Sequence, residues 1–296
     1  MSTQRRWSGP PLGRLAVMGA GQIGGSVALA ARAAGAVTEV VAWSRTREKL
    51  DRARSLGIID RALSSAAEAA TGAALVVLAT PVGSLAALAA EIAPVLEPGA
   101  LVIDVGSVKA SAIAAIEPKL APGVYVACHP VAGIERVGPD AASPLLFEGK
   151  RCVICPTPLS REESLAVIER LWIAMGAEPV RMDAALHDRV LAAGSHLPHV
   201  AAYTLAATLG GLGPKVIEGM QRLPTSSLRD TTRVAASSPV MWRDIFLDNR
   251  DEVLPLVDAL QRQIEALRAA IEAGDGARIG ELLEAAKAGR DRLVPG

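Results

Sequence analysis

Aromatic side chains are scarce. Four Trp, two Tyr and two Phe make up 3% of the 296 residues, so ring packing cannot supply the core, which must come from Ala, Val, Leu and Ile. Only three Cys are present, an odd number, which excludes a disulfide framework and makes a reducing, cytoplasmic setting the default. Neither sign of charge is in excess: 31 Lys+Arg face 31 Asp+Glu, which removes the basic field that drives non-specific nucleic-acid binding. The N-terminal MSTQRRWSGPPLGR has no apolar core of the kind a secretory leader needs, and residues 1–13 read as a flexible arm. What the chain does have is 50% hydrophobic residues against 21% charged, enough for a sizeable core in one large domain or two.

One run lacks Asp, Glu, Lys and Arg altogether. Residues 190–214 are long enough to cross a bilayer, but Ser195, His196, Pro198 and His199 stand near the start and three glycines near the end. The run therefore reads as a helix buried inside protein, with its apolar surface in a subunit interface rather than against lipid.

Residues 14–19, 37–43, 75–80, 100–105, 124–128, 151–155 and 178–182 are short, β-branched and bounded by turn residues, and read as strands. Segments 22–34, 46–55, 84–96 and 160–175 between them read as helices. This alternation predicts a Rossmann-type α/β fold, a doubly wound and mostly parallel sheet. After residue 183 the strand signals stop, and 184–210, 214–222, 240–249 and 251–293 read as helices. The expected organisation is thus 14–183 as one domain and an all-α domain over 184–296.

The first strand runs into Gly19-Ala20-Gly21-Gln22-Ile23-Gly24, a G-x-G-x-x-G that opens a helix. Gly19 permits a tight turn, Gly21 lets backbone approach a pyrophosphate, and Gly24 lets helix pack on strand. The free N–H groups of the helix start then meet the phosphates, which makes 14–183 a dinucleotide-binding domain. Thr80 and Pro81, where strand 75–80 ends, are assigned to the same cofactor. A site selective for NAD carries Asp or Glu about twenty residues past the glycines. Here Ser44 and Arg45 occupy that place, and a hydroxyl and a guanidinium suit a 2′-phosphate, so NADP is expected before NAD.

The histidines stand in distinctive settings. His129 follows strand 124–128 and is expected on a loop at the carboxyl edge of the sheet, beside the post-strand loop that holds Ser107. His187, His196 and His199 come from the uncharged helix, where Ser195 and His199 share a face and Pro198 predicts a kink at Gly194. Asp104 and Lys109 read as turn and helix-start charges. Cys152 and Cys155 have C-x-x-C spacing but lie in a strand, where positions three apart face opposite ways, so they read as core residues rather than metal ligands.

Taken together, GAGQIGGS, DVGSVK, HPVAGIE, LFEGK, HD with AAGSHLPH, and RDTTRVAASSPVMWRDIFLDN resemble, in order, the prephenate/arogenate dehydrogenase family of tyrosine biosynthesis. The resemblance covers about 14 to 250. It implies oxidative decarboxylation of prephenate or arogenate to an aromatic product, and a homodimer formed through the helical domain. It implies that His129 accepts the ring hydroxyl proton, that Ser107 bonds the hydroxyl and orients His129, and that Arg233 holds a carboxylate. It also implies that Ser195, His196 and His199 line the substrate or nicotinamide site, with Glu135 at its entrance. The chain departs from the family at Arg136-Val137-Gly138, where Ser-Gly is common, and at residues 223–227, where a Gly-rich stretch is common. The competing reading is another two-domain nicotinamide enzyme, of β-hydroxyacid dehydrogenase or imine reductase type, which would not require HPVAGIE, SHLPH and DTTR together.

Overall fold

The computed structural model describes residues 6–133 and 137–293. Its eight strands are β1 Arg14–Met18, β2 Glu39–Trp43, β3 Arg61–Ala62, β4 Leu75–Leu78, β5 Leu101–Asp104, β6 Tyr125–Pro130, β7 Arg151–Cys155 and β8 Glu178–Arg181. They form one sheet in the order β3-β2-β1-β4-β5-β6-β7-β8, parallel throughout except where β6 meets β7. Leu75, Val76 and Val77 are fully buried, because helices cover both faces and a strand so placed has no polar side. The two-residue β3 is too short to leave a sequence signal.

On one face lie α1 Gln22–Ala33, α2 Arg47–Ser55 and α6 Glu162–Ala174; on the other lie α3 Ala66–Ala70, α4 Leu85–Ile92 and α5 Lys109–Ile116. Ala is the commonest contact residue in both layers, so the helices approach closely without large rings. Cys152 belongs to one layer and Cys155 to the other, as the strand period requires. The described part of the expected flexible arm is instead docked. The Trp7 amide donates to Ala34 O at 3.0 Å, Leu12 to Ala36 O at 2.8 Å, and the Arg170 guanidinium lies 5.4 Å over the Trp7 ring. Two apolar side chains in an otherwise polar segment are enough to fix it.

Past the sheet come α7 Ala184–Leu191, α8 Leu197–Gly210, α9 Pro214–Arg222, α10 Ser226–Thr232 and α11 Pro239–Asp248. The single helix expected over 184–210 is broken by a π-helical turn at Ala192–His196. Pro198 has no N–H to give and its ring crowds the preceding carbonyls, so the ladder widens by one residue there. Nor is the uncharged run interior to this chain: within 190–214 only Ala192, His196 and Ala202 are buried. No single helix among the described residues is long and apolar enough to cross a membrane.

The sheet ends at Arg181, and these helices pack with it in one compact unit that ends at Asn249. The second unit begins at Arg250. It holds α12 Arg250–Glu272 and α13 Gly276–Leu293, two helices where one continuous stretch was expected, turned at Gly274 with φ +63°.

Candidate active site

Strand order reverses between β1 and β4, which opens a crevice at the carboxyl ends of the strands, and the glycine loop lies at its edge. Gly19 has φ +100°, and a Cβ there would stand 2.5 Å from Ala79 O. A Cβ on Gly24 would stand 2.2 Å from Gly19 O and 2.9 Å from Val17 Cγ1, so only glycine lets α1 pack on β1. Above Gly21 the space is open for 4 Å, room that a phosphate can take and a side chain would fill. No side chain caps α1, which leaves its first amides to an anion. The loop fits a dinucleotide: Gly21, Gln22, Ile23 and Gly24 would face its pyrophosphate, with Gly19 shaping the turn.

The remaining cofactor candidates lie along the same edge. Ser44 and Arg45 directly follow β2; the Ser44 hydroxyl accepts from the Thr46 amide at 3.3 Å and the Arg45 side chain is exposed. Thr80 Oγ1 accepts from Ser84 Oγ at 2.8 Å, and Pro81 opens the short 3-10 turn that follows.

A cavity of about 540 Å³ joins the glycine loop to the helices past the sheet. It brings together Ser107, His129, Ser195, His196, His199 and Arg233, residues up to 126 positions apart in the chain (107 to 233). Glu135 and Arg136 lie outside the described residues. His129 stands not on a loop but within β6, opposite Val153, and is 7% exposed. A strand holds its ring more rigidly than a loop would.

Behind His129 runs a chain of buried groups. His129 Nδ1 lies 2.8 Å from His187 Nε2, and His187 Nδ1 lies 2.7 Å from Asp188 Oδ1. The Asp188 carboxylate also accepts from the Lys109 amide at 2.7 Å and the Ala110 amide at 2.8 Å, so it caps α5. Burial would push the Asp188 carboxyl up, but the bonds from His187 and these amides outweigh it and hold it below the usual range. A carboxylate can only accept, so His187 carries its proton on Nδ1 and offers a lone pair at Nε2. His129 must then donate from Nδ1, which leaves the lone pair of its Nε2 as the basic atom of the ring. Burial, with His187, Lys109 and His196 nearby, pushes His129 well below 6.5, so the ring is neutral at physiological pH.

Asp104 and Lys109, read above as turn and helix-start charges, are instead a fully buried ion pair. Lys109 Nζ also donates to Cys128 O at 2.8 Å, and the Cys128 amide and Tyr125 hydroxyl donate to Asp104 Oδ1. The pair pins the backbone beside His129. On the facing wall, His199 donates from Nδ1 to Ser195 O at 2.9 Å and stacks on Trp242, ring centroids 3.4 Å apart. Arg233 begins the 3-10 turn after α10. Asp188, Trp242 and Asn249 were not singled out in the sequence, although each lies in a motif quoted above; only position relative to distant partners marks them.

The family model for the prephenate dehydrogenase nucleotide-binding domain matches residues 27–181, and that for the prephenate dehydrogenase dimerization domain matches 183–285. The cyclohexadienyl dehydrogenase of Zymomonas mobilis is 37% identical over 262 residues, covering 88% of this chain and 89% of the relative. Among solved structures, Aquifex aeolicus prephenate dehydrogenase in complex with hydroxyphenyl propionate and NAD+ is 30% identical, with TM-score 0.84 over 95% of this chain and 98% of that one. Synechocystis arogenate dehydrogenase is 26% identical, with TM-score 0.76 over 95% and 100%. These matches displace the β-hydroxyacid dehydrogenase and imine reductase reading. An eight-stranded nucleotide-binding half, a helical second half and a shared cavity holding a polarised imidazole are accounted for together: the chain belongs to the prephenate dehydrogenase family of nicotinamide-dependent oxidoreductases.

Proposed function

We propose that this enzyme oxidatively decarboxylates prephenate, arogenate or both, uses NADP in preference to NAD, and works as a cytoplasmic homodimer. The observation that carries the reaction is the hydrogen-bonded series Asp188–His187–His129, which ends in a neutral imidazole at the cavity beside the glycine loop. Both dienes carry a ring hydroxyl and a ring carboxylate. A bound nicotinamide supplies the hydride acceptor for the carbon that bears the hydroxyl. His129 Nε2 takes the hydroxyl proton, and the rise in positive charge on its ring is met through Nδ1 by His187 and the Asp188 carboxylate. Ser107 bonds the same hydroxyl and fixes its direction. Arg233 holds a carboxylate with its guanidinium fork, while Ser195, His196 and His199 close the far wall. Loss of CO₂ leaves an aromatic ring, so positioning and one base suffice.

NADP preference is read from Ser44 and Arg45, which can donate to a 2′-phosphate where a carboxylate would repel it. Association through the helical domain is supported by α8, in which only Ala202 is buried, and by Leu205, Val216 and Leu223, which are at least one-third exposed. The three Cys are free and buried, in keeping with a reducing compartment. The deciding experiment follows reduced-nicotinamide absorbance with each diene and each nucleotide. Turnover with at least one diene, at a lower KM for NADP than for NAD, is expected; no turnover with either diene would end the proposal. Sedimentation at micromolar concentration should show a dimer.

A further inference from the structure

We propose that Asn249 is a positioning residue that fixes His196 as its Nε2–H tautomer, so that His196 presents a hydrogen-bond donor to an oxygen of the substrate. Asn249 is the C-cap of α11, is 4% exposed, and sends its side-chain Nδ2 to two partners. One is Asp188 O at 2.8 Å. A backbone carbonyl can only accept, so that contact settles which end of the amide is nitrogen. The other is His196 Nδ1 at 3.0 Å. With one hydrogen of the amide given to Asp188 O, the second points at Nδ1, which must offer its lone pair. The proton of the neutral ring therefore sits on Nε2.

His196 is 1% exposed, lines the cavity, and stands edge-on to Trp242 with centroids 5.8 Å apart. Burial lowers its pKa to about 4, so the ring stays neutral and the tautomer question has one answer over the working range. The cavity then holds two buried imidazoles of opposite character. His129 carries its proton on Nδ1 and accepts at Nε2, while His196 accepts at Nδ1 and donates from Nε2. A substrate that gives up a hydroxyl proton and carries anionic oxygens has use for one of each. Through the same amide, the residue whose side chain orients His187 is tied by its backbone to the residue that orients His196.

The test uses the tag-free full chain labelled with ¹⁵N-histidine, whose four His give a long-range ¹H–¹⁵N spectrum simple enough to assign. The signal lost in His196→Gln should have the Nε2–H pattern in the wild type. In Asn249→Asp, where a carboxylate replaces the donor, it should convert to a form protonated at Nδ1. In Asn249→Leu, which keeps the bulk and removes the donor, it should become a mixture. An Nδ1–H pattern in the wild type would overturn the assignment, as would an unchanged signal in both variants. A merely structural Asn249 would lower Tm and leave the tautomer alone.

The functional half rests on the reaction proposed above. There Asn249→Asp should lower kcat/KM by roughly 10- to 100-fold, the value of one hydrogen bond to a charged group, with nucleotide affinity unchanged. A shifted tautomer with unchanged kcat/KM would refute a donor role. Because the proton map is read without turnover, a wild-type chain inactive on both dienes would sink the reaction and leave the Asn249 assignment standing.

Discussion

The sheet half of the molecule and the helices α7 to α11 bury different things. Between residues 14 and 181 the buried set is overwhelmingly aliphatic, with Ser26, Asp104, Lys109, His129 and Ser164 as the polar members. Between 184 and 249 the buried hydrophobic residues are Ala192, Ala202, Trp242 and Ile245, and they are matched by the polar residues His187, Asp188, His196 and Asn249. Burial serves cohesion in the first region. In the second it shelters hydrogen bonds from water, where each is stronger and each loss more costly. The helices turn much of their apolar surface outward, at Leu186, Val190, Leu205 and Val216 among others. A region with so little core of its own gets its order from neighbours: the sheet on one side and, as proposed above, a second subunit on another.

Perturbing each region in turn should separate the two roles. The largest effect is expected from His129→Asn, which keeps the strand and removes the base. Turnover should fall ~10²–10⁴-fold while nucleotide affinity, measured by fluorescence titration, stays the same; unimpaired turnover would take His129 out of the chemistry. Next comes Leu171→Ala, a cavity in the fully buried layer under α6, which should cost about 2–5 kcal/mol in urea unfolding. The same truncation at Leu247, 63% exposed on α11, should cost under ~1 kcal/mol. Equal costs would erase the contrast between the two regions.

A third effect comes from pH. Unfolded histidines titrate near 6.5, whereas His129 and His196 are held below that value, His196 at about 4. Between those limits the unfolded chain binds more protons, so stability rises with pH. On acidification it should be lost from about pH 6.5 downward, with about 3 kcal/mol from His196 gone by pH 4. Unfolding free energies that stay flat from pH 7 to 5 would contradict this. The smallest effect is Arg233→Ala, an exposed fork on a turn. It should raise the diene KM roughly tenfold or somewhat more and change kcat less, because it removes binding common to ground and transition states.

Much of this architecture is legible in the sequence because it is written in short-range patterns. The glycines sit between a strand and a helix, β-branched runs alternate with Ala-rich ones, and the last strand stops two residues before Asp183. The six catalytic and substrate-site candidates among the described residues share one cavity, Ser107, His129 and Arg233 among them. The wiring between them is not legible. Lys109 meets Asp188 across 79 residues, His129 meets His187 across 58, and His196 meets Asn249 across 53. No local period encodes such pairs; they follow from where the sheet edge sets α5 and α7. For the same reason Asp104 and Lys109 read as separate turn and helix-start charges until the fold brings them together as a buried pair.

The π-helical turn at Ala192–His196 has a consequence beyond its local geometry. One surplus residue in a helix swings everything after it by about 100° around the axis. Here that offset decides which way His196, His199 and the rest of α8 look. Deleting a single codon within the turn would leave composition, length and hydropathy almost untouched. It would also rotate the far wall of the cavity out of register with His129. Whether this stretch carries the reaction or merely roofs the sheet comes down to one amino acid in the count.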